Sequence, residues 1–152
     1  MRLTSFTDYS LRVLMYVATQ PERQVTIAEI AAAYAISESH LKKVVHHLGK
    51  AGLLTNVRGR GGGIGLARPA ARINLGAIVR ASEADCALVE CFDARTNRCV
   101  ITPVCPVHGI FAQALDAFYA VLDRHTLADL TRNRGRLQSL LGISSATQAQ
   151  AR

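Results

Sequence analysis

Four cysteines lie close together in this chain, and they are its residues best suited to metal or redox chemistry. Cys86, Cys91, Cys99 and Cys105 are separated by five, eight and six positions. Zinc sites usually contain a close cysteine pair, and this spacing is loose by that standard. Iron–sulfur clusters accept thiolates from more widely spaced points of a loop. The spacing therefore favours an iron–sulfur cluster, with zinc or a cluster-free thiol switch as alternatives. His108, shortly after Cys105, is a further candidate ligand.

The remaining composition limits the class of protein. No apolar run approaches the roughly 20 residues needed to cross a bilayer, and Met1 is followed by a polar segment rather than a signal peptide. We therefore expect a cytoplasmic protein without a membrane partner, in which cysteines stay reduced. No catalytic cysteine–histidine set, dinucleotide loop or pair of catalytic carboxylates stands out, so an enzyme is the less favoured alternative.

Positive charge is concentrated in the N-terminal half. The net charge is +7, and residues 1–68 contain nine Lys and Arg against four Asp and Glu. Residues 69–152 contain nine against seven. This distribution is expected if the N-terminal half binds a polyanion such as DNA.

The first helix is predicted over residues 4–19. Its apolar residues recur with the spacing of a buried helical stripe. Ser5 or Thr7 is expected to cap its start. Asp8 and Arg12 are one turn apart, so they are expected to pair on another face of the helix.

Two further helices form a predicted helix-turn-helix. Thr26 and Glu29 have the spacing of a capping box for a helix over residues 26–34, and Ser37 suits the N-cap of the next helix. Residues in the first turn of that second helix are expected to reach base edges, and the two lysines to contact phosphates. The predicted DNA contacts are Thr26, Ser37, Ser39, His40, Lys42 and Lys43.

A basic, glycine-rich hairpin follows the helix-turn-helix directly. Predicted strands Leu53–Val57 and Ile64–Ala67 flank a turn that contains two arginines among glycines. Glycines let the backbone approach DNA closely, and the arginines suit a minor groove or phosphates. The predicted contacts here are Arg58, Arg60, Gly61 and Gly62. The fold class is therefore mostly α with a small β-hairpin wing, that is, a winged helix-turn-helix DNA-binding domain.

The C-terminal half is predicted to hold a dimerisation helix. A helical apolar stripe runs from Val107 to Arg124, and little in its own chain is left to cover it. We expect a second copy to cover it in a two-fold homodimer; the alternative is a helix folded back on its own winged helix. The predicted divisions are a winged helix over 1–82, a cysteine loop over 83–106, the long helix and short helices over 107–141, and a disordered tail over 142–152.

Several motifs resemble one known family. The segments LTSFTDYSLRVLMY, VRGRGGGIGLARP, ALVECF followed by CVITPVC, and HTLADL occur in the same order as in the nitric-oxide-sensitive repressors of the Rrf family of winged-helix regulators. The resemblance extends to about residue 141. It implies a dimeric repressor that binds operator DNA while its cluster is intact and releases DNA when nitric oxide reacts with the cluster.

The resemblance also implies a set of ligands. Each subunit would bind one 4Fe–4S cluster through Cys91, Cys99, Cys105 and Asp8 of the partner subunit. Because Arg12 lies one helical turn from Asp8, we expect it to orient that carboxylate. Cys86 matches no family ligand and, like His108, is kept as a possible alternative ligand. His108 falls where the related IscR proteins have a histidine ligand, so the alternative is an IscR-like 2Fe–2S regulator that senses iron–sulfur status. The FTDY start favours the nitric-oxide-sensitive branch, because IscR lacks that aspartate.

Overall fold

Seven α-helices and one β-hairpin account for most of the described residues. The computed structural model describes residues 2–57, 59, 62–83 and 87–143. The helices are α1 (Ser5–Ala18), α2 (Ile27–Tyr34), α3 (Glu38–Lys50), α4 (Leu75–Ser82), α5 (Pro106–Leu122), α6 (Leu127–Leu130) and α7 (Arg134–Leu140). The strands are β1 (Leu54–Val57) and β2 (Gly63–Leu66), and 3-10 turns occur at Ala70–Arg72, Glu90–Phe92 and Thr102–Val104. The predicted, mostly helical winged-helix architecture is confirmed.

Local capping explains where the first two helices begin. Thr4, rather than the predicted Ser5 or Thr7, caps α1. Its hydroxyl accepts the Thr7 N–H at 3.3 Å, and the Thr4 N–H and hydroxyl also donate to Glu83 Oε1, at 2.8 and 2.9 Å, at the end of α4. The predicted capping box of α2 is confirmed: the Thr26 N–H donates to Glu29 Oε2 at 2.6 Å, and the Glu29 N–H donates to Thr26 Oγ1 at 3.2 Å.

The hydrophobic core is built around α1. Val13 and Leu14 are fully buried, and α3, which packs on α1, contributes the buried Leu41 and Val44 to the same core. Further core residues come from α1, α3 and the other parts of the winged helix. These include Val17, Val25, Ile30, Val45, Leu48, Leu54, Ile64, Ile73 and Ile78.

The hairpin is antiparallel, and a third segment extends it. Leu54 pairs with Leu66 and Val57 with Gly63, so the strands lie within one residue of the predicted bounds. Val25 forms a bridge to Ile64, with its N–H donating to the Ile64 carbonyl at 3.0 Å. A Cβ on Gly63 would lie 2.7 Å from the Val25 carbonyl oxygen, so this close approach requires glycine.

The C-terminal helices pack on the winged helix. Leu127 of α6 is fully buried in the core, and its N–H donates to the Ile73 carbonyl at 2.8 Å. Arg134 and Gln138 of α7 both donate to the Thr19 carbonyl, at 2.7 Å, at the end of α1. These contacts group α6 and α7 with the winged helix, whereas the sequence groups them with the long helix.

The predicted tail begins too early. Ile143 packs against the core, and its N–H donates to the Gln138 carbonyl at 2.9 Å. Residues 142 and 143 are therefore part of the folded chain. The rest of the predicted tail, residues 144–152, lies outside the described residues.

The long helix α5 is attached to the winged helix at its C-terminal end. Arg80 of α4 forms two hydrogen bonds with the Asp123 carboxylate, at 2.8 and 2.5 Å, and its guanidinium lies 4.4 Å from the ring centre of Tyr119. No residue of α5 is buried, and Val107, Ile110, Phe111 and Val121 are exposed. No helix among the described residues is long and apolar enough to span a bilayer.

Candidate DNA-binding surface and cysteine loop

The outer face of α3 is a continuous polar surface. The helix buries its apolar stripe, so Ser39, His40, Lys42 and Lys43 all face outward and are exposed, as is Ser37 before the helix. Lys42 approaches Glu38 at 3.7 Å, but both side chains are more than half exposed, so this pair is weak and leaves the lysine accessible. Two lysines with hydroxyl and imidazole groups on one exposed helix face can contact both phosphates and bases.

Thr26 has a structural role at the start of α2. Its hydroxyl both caps the Glu29 N–H and donates to the Glu29 carboxylate at 2.9 Å. Burial acts to raise the pKa of Glu29, but hydrogen bonds from Thr26 and the charge of Arg23 leave that pKa below its ordinary value. A DNA contact through the Thr26 hydroxyl would therefore compete with the cap.

The wing is described only in part. Arg58, Arg60 and Gly61 lie outside the described residues. Gly62 is partly exposed, and its N–H donates to the Gly59 carbonyl at 2.9 Å. The predicted arginine contacts therefore remain predictions.

Two aromatic contacts join α1 to α3. The Tyr9 ring stacks on the His40 ring with centroids 6.3 Å apart and planes at 29°, and Phe6 meets His47 edge-on at 5.2 Å. Sequence reasoning did not find these contacts. A signal was present, because Phe6 and Tyr9 are three positions apart in α1, and His40 and His47 are seven apart in α3, which places each pair on one helix face.

Asp8 and Arg12 form the local pair that their spacing predicts. Arg12 binds the Asp8 carboxylate through two nitrogens, at 3.1 and 2.9 Å. About half of each side chain is exposed, so a second chain can reach the carboxylate. The Arg12 guanidinium also lies 5.6 Å from the ring centre of Tyr34 in α2.

Polar turns order the cysteine loop. Cys91 lies in the 3-10 turn Glu90–Phe92, and Cys105 is the N-cap of α5. The Cys99 N–H donates to Asn97 Oδ1 at 3.0 Å. Hydrogen bonds from the Arg95 side chain and N–H hold the pKa of Asp93 below its ordinary value. Such turns present side chains outward instead of packing them in a core.

The described part of the loop holds three free thiols but does not gather them. Cys91 and Cys105 are partly exposed and Cys99 is exposed. Across the described ranges, no group of three or more His, Cys, Asp or Glu side chains is close enough to hold one metal ion, so neither Asp8 nor His108 completes a site with them. Cys86 lies outside the described residues.

The chemistry of these donors nevertheless fits an iron–sulfur cluster. Free thiols are the ligands that such clusters use, and no described cysteine is consumed in a disulfide. Cys91 also shares a groove of about 580 Å³ with His108, whose ring meets Phe92 edge-on at 5.0 Å. The same loop leaves Val100 91% and Val104 81% accessible, so the thiols lie beside exposed apolar side chains.

A helix-turn-helix, a wing and an outward basic helix face define this protein as a DNA-binding regulator of the winged-helix class. The family model described as "Rrf2: Iron-dependent Transcriptional regulator" matches residues 3–133. The chain belongs to this family, which confirms the predicted resemblance and the preference for a regulator over an enzyme.

Individual relatives refine this assignment. The chain is 51% identical over 142 residues to "HTH-type transcriptional regulator NsrR" of Geobacillus kaustophilus (strain HTA426), covering 93% of this chain and 97% of that one. It is 48% identical over 142 residues to the protein of the same name from Bacillus subtilis (strain 168), with the same coverage.

Solved structures share the fold. T. potens IscR superposes with a TM-score of 0.72 at 25% identity, covering 91% of each chain. CymR (YrzC), the global cysteine regulator of B. subtilis, superposes with a TM-score of 0.70 at 27% identity, covering 88% of this chain and 98% of that one.

Proposed function

We propose that this chain is a cytoplasmic repressor that binds operator DNA as a homodimer and responds to nitric oxide through a bound iron–sulfur cluster. The observation that carries the proposal is the near-full-length similarity to NsrR regulators, at 51% identity in one case, combined with three free cysteines in one exposed loop. The exposed basic face of α3 supports the DNA-binding part of the proposal.

A second copy of the chain is the proposed partner of α5. This helix buries none of its residues in the single chain, and its exposed apolar side chains continue into the cysteine loop at Ile101 and Val104. Large exposed apolar surfaces in regulators of this size are usually covered by another subunit. A two-fold pair would also place two α3 helices at a fixed distance, as two operator half-sites require.

Cys91, Cys99 and Cys105 are the proposed cluster ligands, with Asp8 of the partner subunit as the fourth. When bound, a 4Fe–4S cluster supplies an iron centre that reacts with nitric oxide. An aspartate holds iron less firmly than a thiolate in such a sulfide-rich site, which makes that position the most readily exchanged. The half-exposed carboxylate of Asp8, oriented by Arg12, is accessible to a second chain.

An IscR-like 2Fe–2S regulator is the second candidate. Two observations favour it: the similarity to the T. potens IscR structure, and the groove that His108 shares with Cys91. In this alternative His108 replaces Asp8 as the fourth ligand. Electron paramagnetic resonance and absorption spectra of anaerobically purified protein distinguish the two cluster types.

One anaerobic experiment tests the proposed function. Iron, sulfide and the visible spectrum are measured together with operator affinity, before and after addition of nitric oxide. We expect about four iron and four sulfide ions per chain for a 4Fe–4S cluster, and weaker operator binding after nitric oxide. A coupling of about 1–3 kcal/mol, or fivefold to 150-fold in affinity, is typical between two sites.

Matched variants assign the ligands. Cys91→Ala, Cys99→Ala and Cys105→Ala should each abolish the visible absorption, whereas Cys86→Ala should retain it. Asp8→Ala should retain dimers but alter cluster stability or the response to nitric oxide. Protein that contains no iron yet still releases its operator on exposure to nitric oxide would contradict the proposal.

A further inference from the structure

We propose that Tyr9 is a positioning residue: its ring orients His40 for DNA contact and links α1, which carries Asp8, to the DNA-reading helix α3. The linking role rests on the proposed function, whereas the positioning role requires only that the chain binds DNA. The juxtaposition that carries both is the stack of the two rings, with centroids 6.3 Å apart and planes at 29°.

The Tyr9 ring limits the movement of the His40 side chain. His40 is exposed in the first turn of α3, and no side-chain hydrogen bond or ion pair involves it within the described part of the chain. An exposed imidazole without such bonds samples several rotamers, and an aromatic neighbour at stacking distance favours one of them. The ring nitrogens of His40 are then free for a base or a phosphate.

A second ring pair keeps α1 and α3 in register. Phe6 meets His47 edge-on at 5.2 Å, two turns along α3 from His40, and His47 is partly buried. This contact packs one helix on the other. The Tyr9–His40 contact lies toward the exposed end of the same interface, so a small rotation of α1 displaces His40 while the packed pair holds.

The residue before Tyr9 is Asp8, the proposed ligand to the partner's cluster. Arg12, which binds Asp8 at 2.9 Å, also lies over the Tyr34 ring of α2. The exposed face of α1 therefore touches both helices of the helix-turn-helix, α3 through Tyr9 and α2 through Arg12. Movement of Asp8 displaces Tyr9 directly, because the two residues are adjacent in one rigid helix.

A first experiment tests the positioning role without nitric oxide. The intact dimer, prepared anaerobically, is titrated with operator DNA and with unrelated duplex DNA, and the ratio of the two affinities is called the specificity ratio. This ratio is compared between wild type and four variants: Tyr9→Leu, Tyr9→Phe, His40→Ala and the Tyr9→Leu/His40→Ala double variant. We expect Tyr9→Leu and His40→Ala each to lower the ratio on the order of tenfold, the size of one lost base contact. The specificity ratio of the double variant should be no lower than that of either single variant, because both changes remove the same contact. Tyr9→Phe should keep the wild-type ratio, because a phenylalanine ring can still stack on His40.

Either of two results would overturn the positioning role. One is a Tyr9→Leu protein with the wild-type specificity ratio; the other is a double variant in which the two losses multiply. Thermal unfolding of each variant establishes that it is folded. If Tyr9→Leu does not fold, Tyr9→Met, which keeps apolar volume without a ring, takes its place in the same cycle.

A second experiment tests the link to α1. Nitric oxide is added to wild type and Tyr9→Leu, and cluster absorption and operator affinity are followed in the same samples. We expect equal absorption changes but a smaller nitric-oxide-induced change of affinity in Tyr9→Leu. An unchanged response of affinity refutes the link. A wild-type protein with no response at all refutes the proposed function and the link together, while the specificity cycle still decides the positioning role.

Discussion

Leu127 provides the sharpest test of how the C-terminal helices are integrated. Its side chain is fully buried between α1 and the 3-10 turn Ala70–Arg72, although it follows the long helix in sequence. Truncation to alanine removes three buried carbon atoms and leaves the N–H bond to Ile73 intact. Leu→Ala changes in cores cost about 2–5 kcal/mol, depending on how far the site collapses.

We expect Leu127→Ala to lower the free energy of unfolding by about 3 kcal/mol. Rigid elements on two sides limit collapse of the cavity, which excludes the low end of the range, and the short helix α6 can shift slightly, which excludes the high end. For a chain of this length such a loss corresponds to about 6–12 °C in Tm. Urea and thermal unfolding at one fixed protomer concentration measure it, because dimerisation makes stability concentration-dependent.

Leu140→Ala is the matched control. This leucine lies on α7 and is 76% exposed, so its truncation should change stability by no more than about 0.5 kcal/mol. If Leu127→Ala costs less than about 1 kcal/mol, or no more than the control, then α6 is not part of the winged-helix core and the assignment is wrong.

Three further predictions concern the wing, the capping of α6 and the DNA-binding face. Gly63→Ala should lower the free energy of unfolding, measured in urea, by about 1–3 kcal/mol, because the added Cβ would lie 2.7 Å from a backbone oxygen. Gly135→Ala is the control: its Cβ would lie in open space on α7, so this change should be neutral or stabilise the protein by up to about 1 kcal/mol. Thr126, the N-cap of α6, donates its N–H and hydroxyl to the Asp129 carboxylate, at 2.8 and 3.0 Å, and these bonds lower the pKa of Asp129. The charged carboxylate therefore stabilises the fold at a pH above the unfolded-state pKa of about 4, and this stability is lost as pH falls through the folded-state pKa. Asp129→Asn should therefore be less stable than wild type at pH 6, and the difference in urea midpoint should narrow below about pH 4. Lys43→Ala should reduce the slope of log affinity against log salt by about one unit, and Arg136→Ala, the same charge change on α7, should leave it unchanged.

The outcomes that contradict these predictions are equally specific. Equal losses for the two glycine variants would mean that the close approach of β2 to the Val25 segment is not needed. A pH-independent difference for Asp129→Asn would assign its effect to something other than its charge. If the slope of log affinity against log salt is the same for Lys43→Ala and wild type, Lys43 on the outer face of α3 does not contact DNA phosphates.

Much of the fold could be predicted from the sequence because its signals are local. The Thr26–Glu29 capping box and the apolar stripe of α3 each depend on residues within one or two turns. The α1 cap shows where such reasoning fails. The hydroxyl of Thr4 accepts the Thr7 N–H locally, but its further bonds are to Glu83, seventy-nine residues away, and no local pattern reports that contact.

Some features of the candidate site could also be predicted from the sequence, and others depend on tertiary contacts. The sequence singled out Cys91, Cys99 and Cys105 by type and spacing, and the helix-turn-helix by capping and charge. It could not find the Tyr9–His40 stack, since that contact depends on how two separate helices cross. Among the residues that the structure describes, Cys91, Cys99 and Cys105 do not form a closed site, because their loop lies on the surface.

By itself, then, the sequence determined the family, the helices and the chemical groups available to a cofactor and to DNA. Tertiary structure decided that α6 and α7 pack on the winged helix, that Arg80 and Asp123 join the long helix to it, and that Tyr9 touches α3. The physical reason is the separation along the chain between the residues that interact. Periodicity and capping arise from neighbours along the chain, whereas burial and ring stacking arise only when distant segments are packed together.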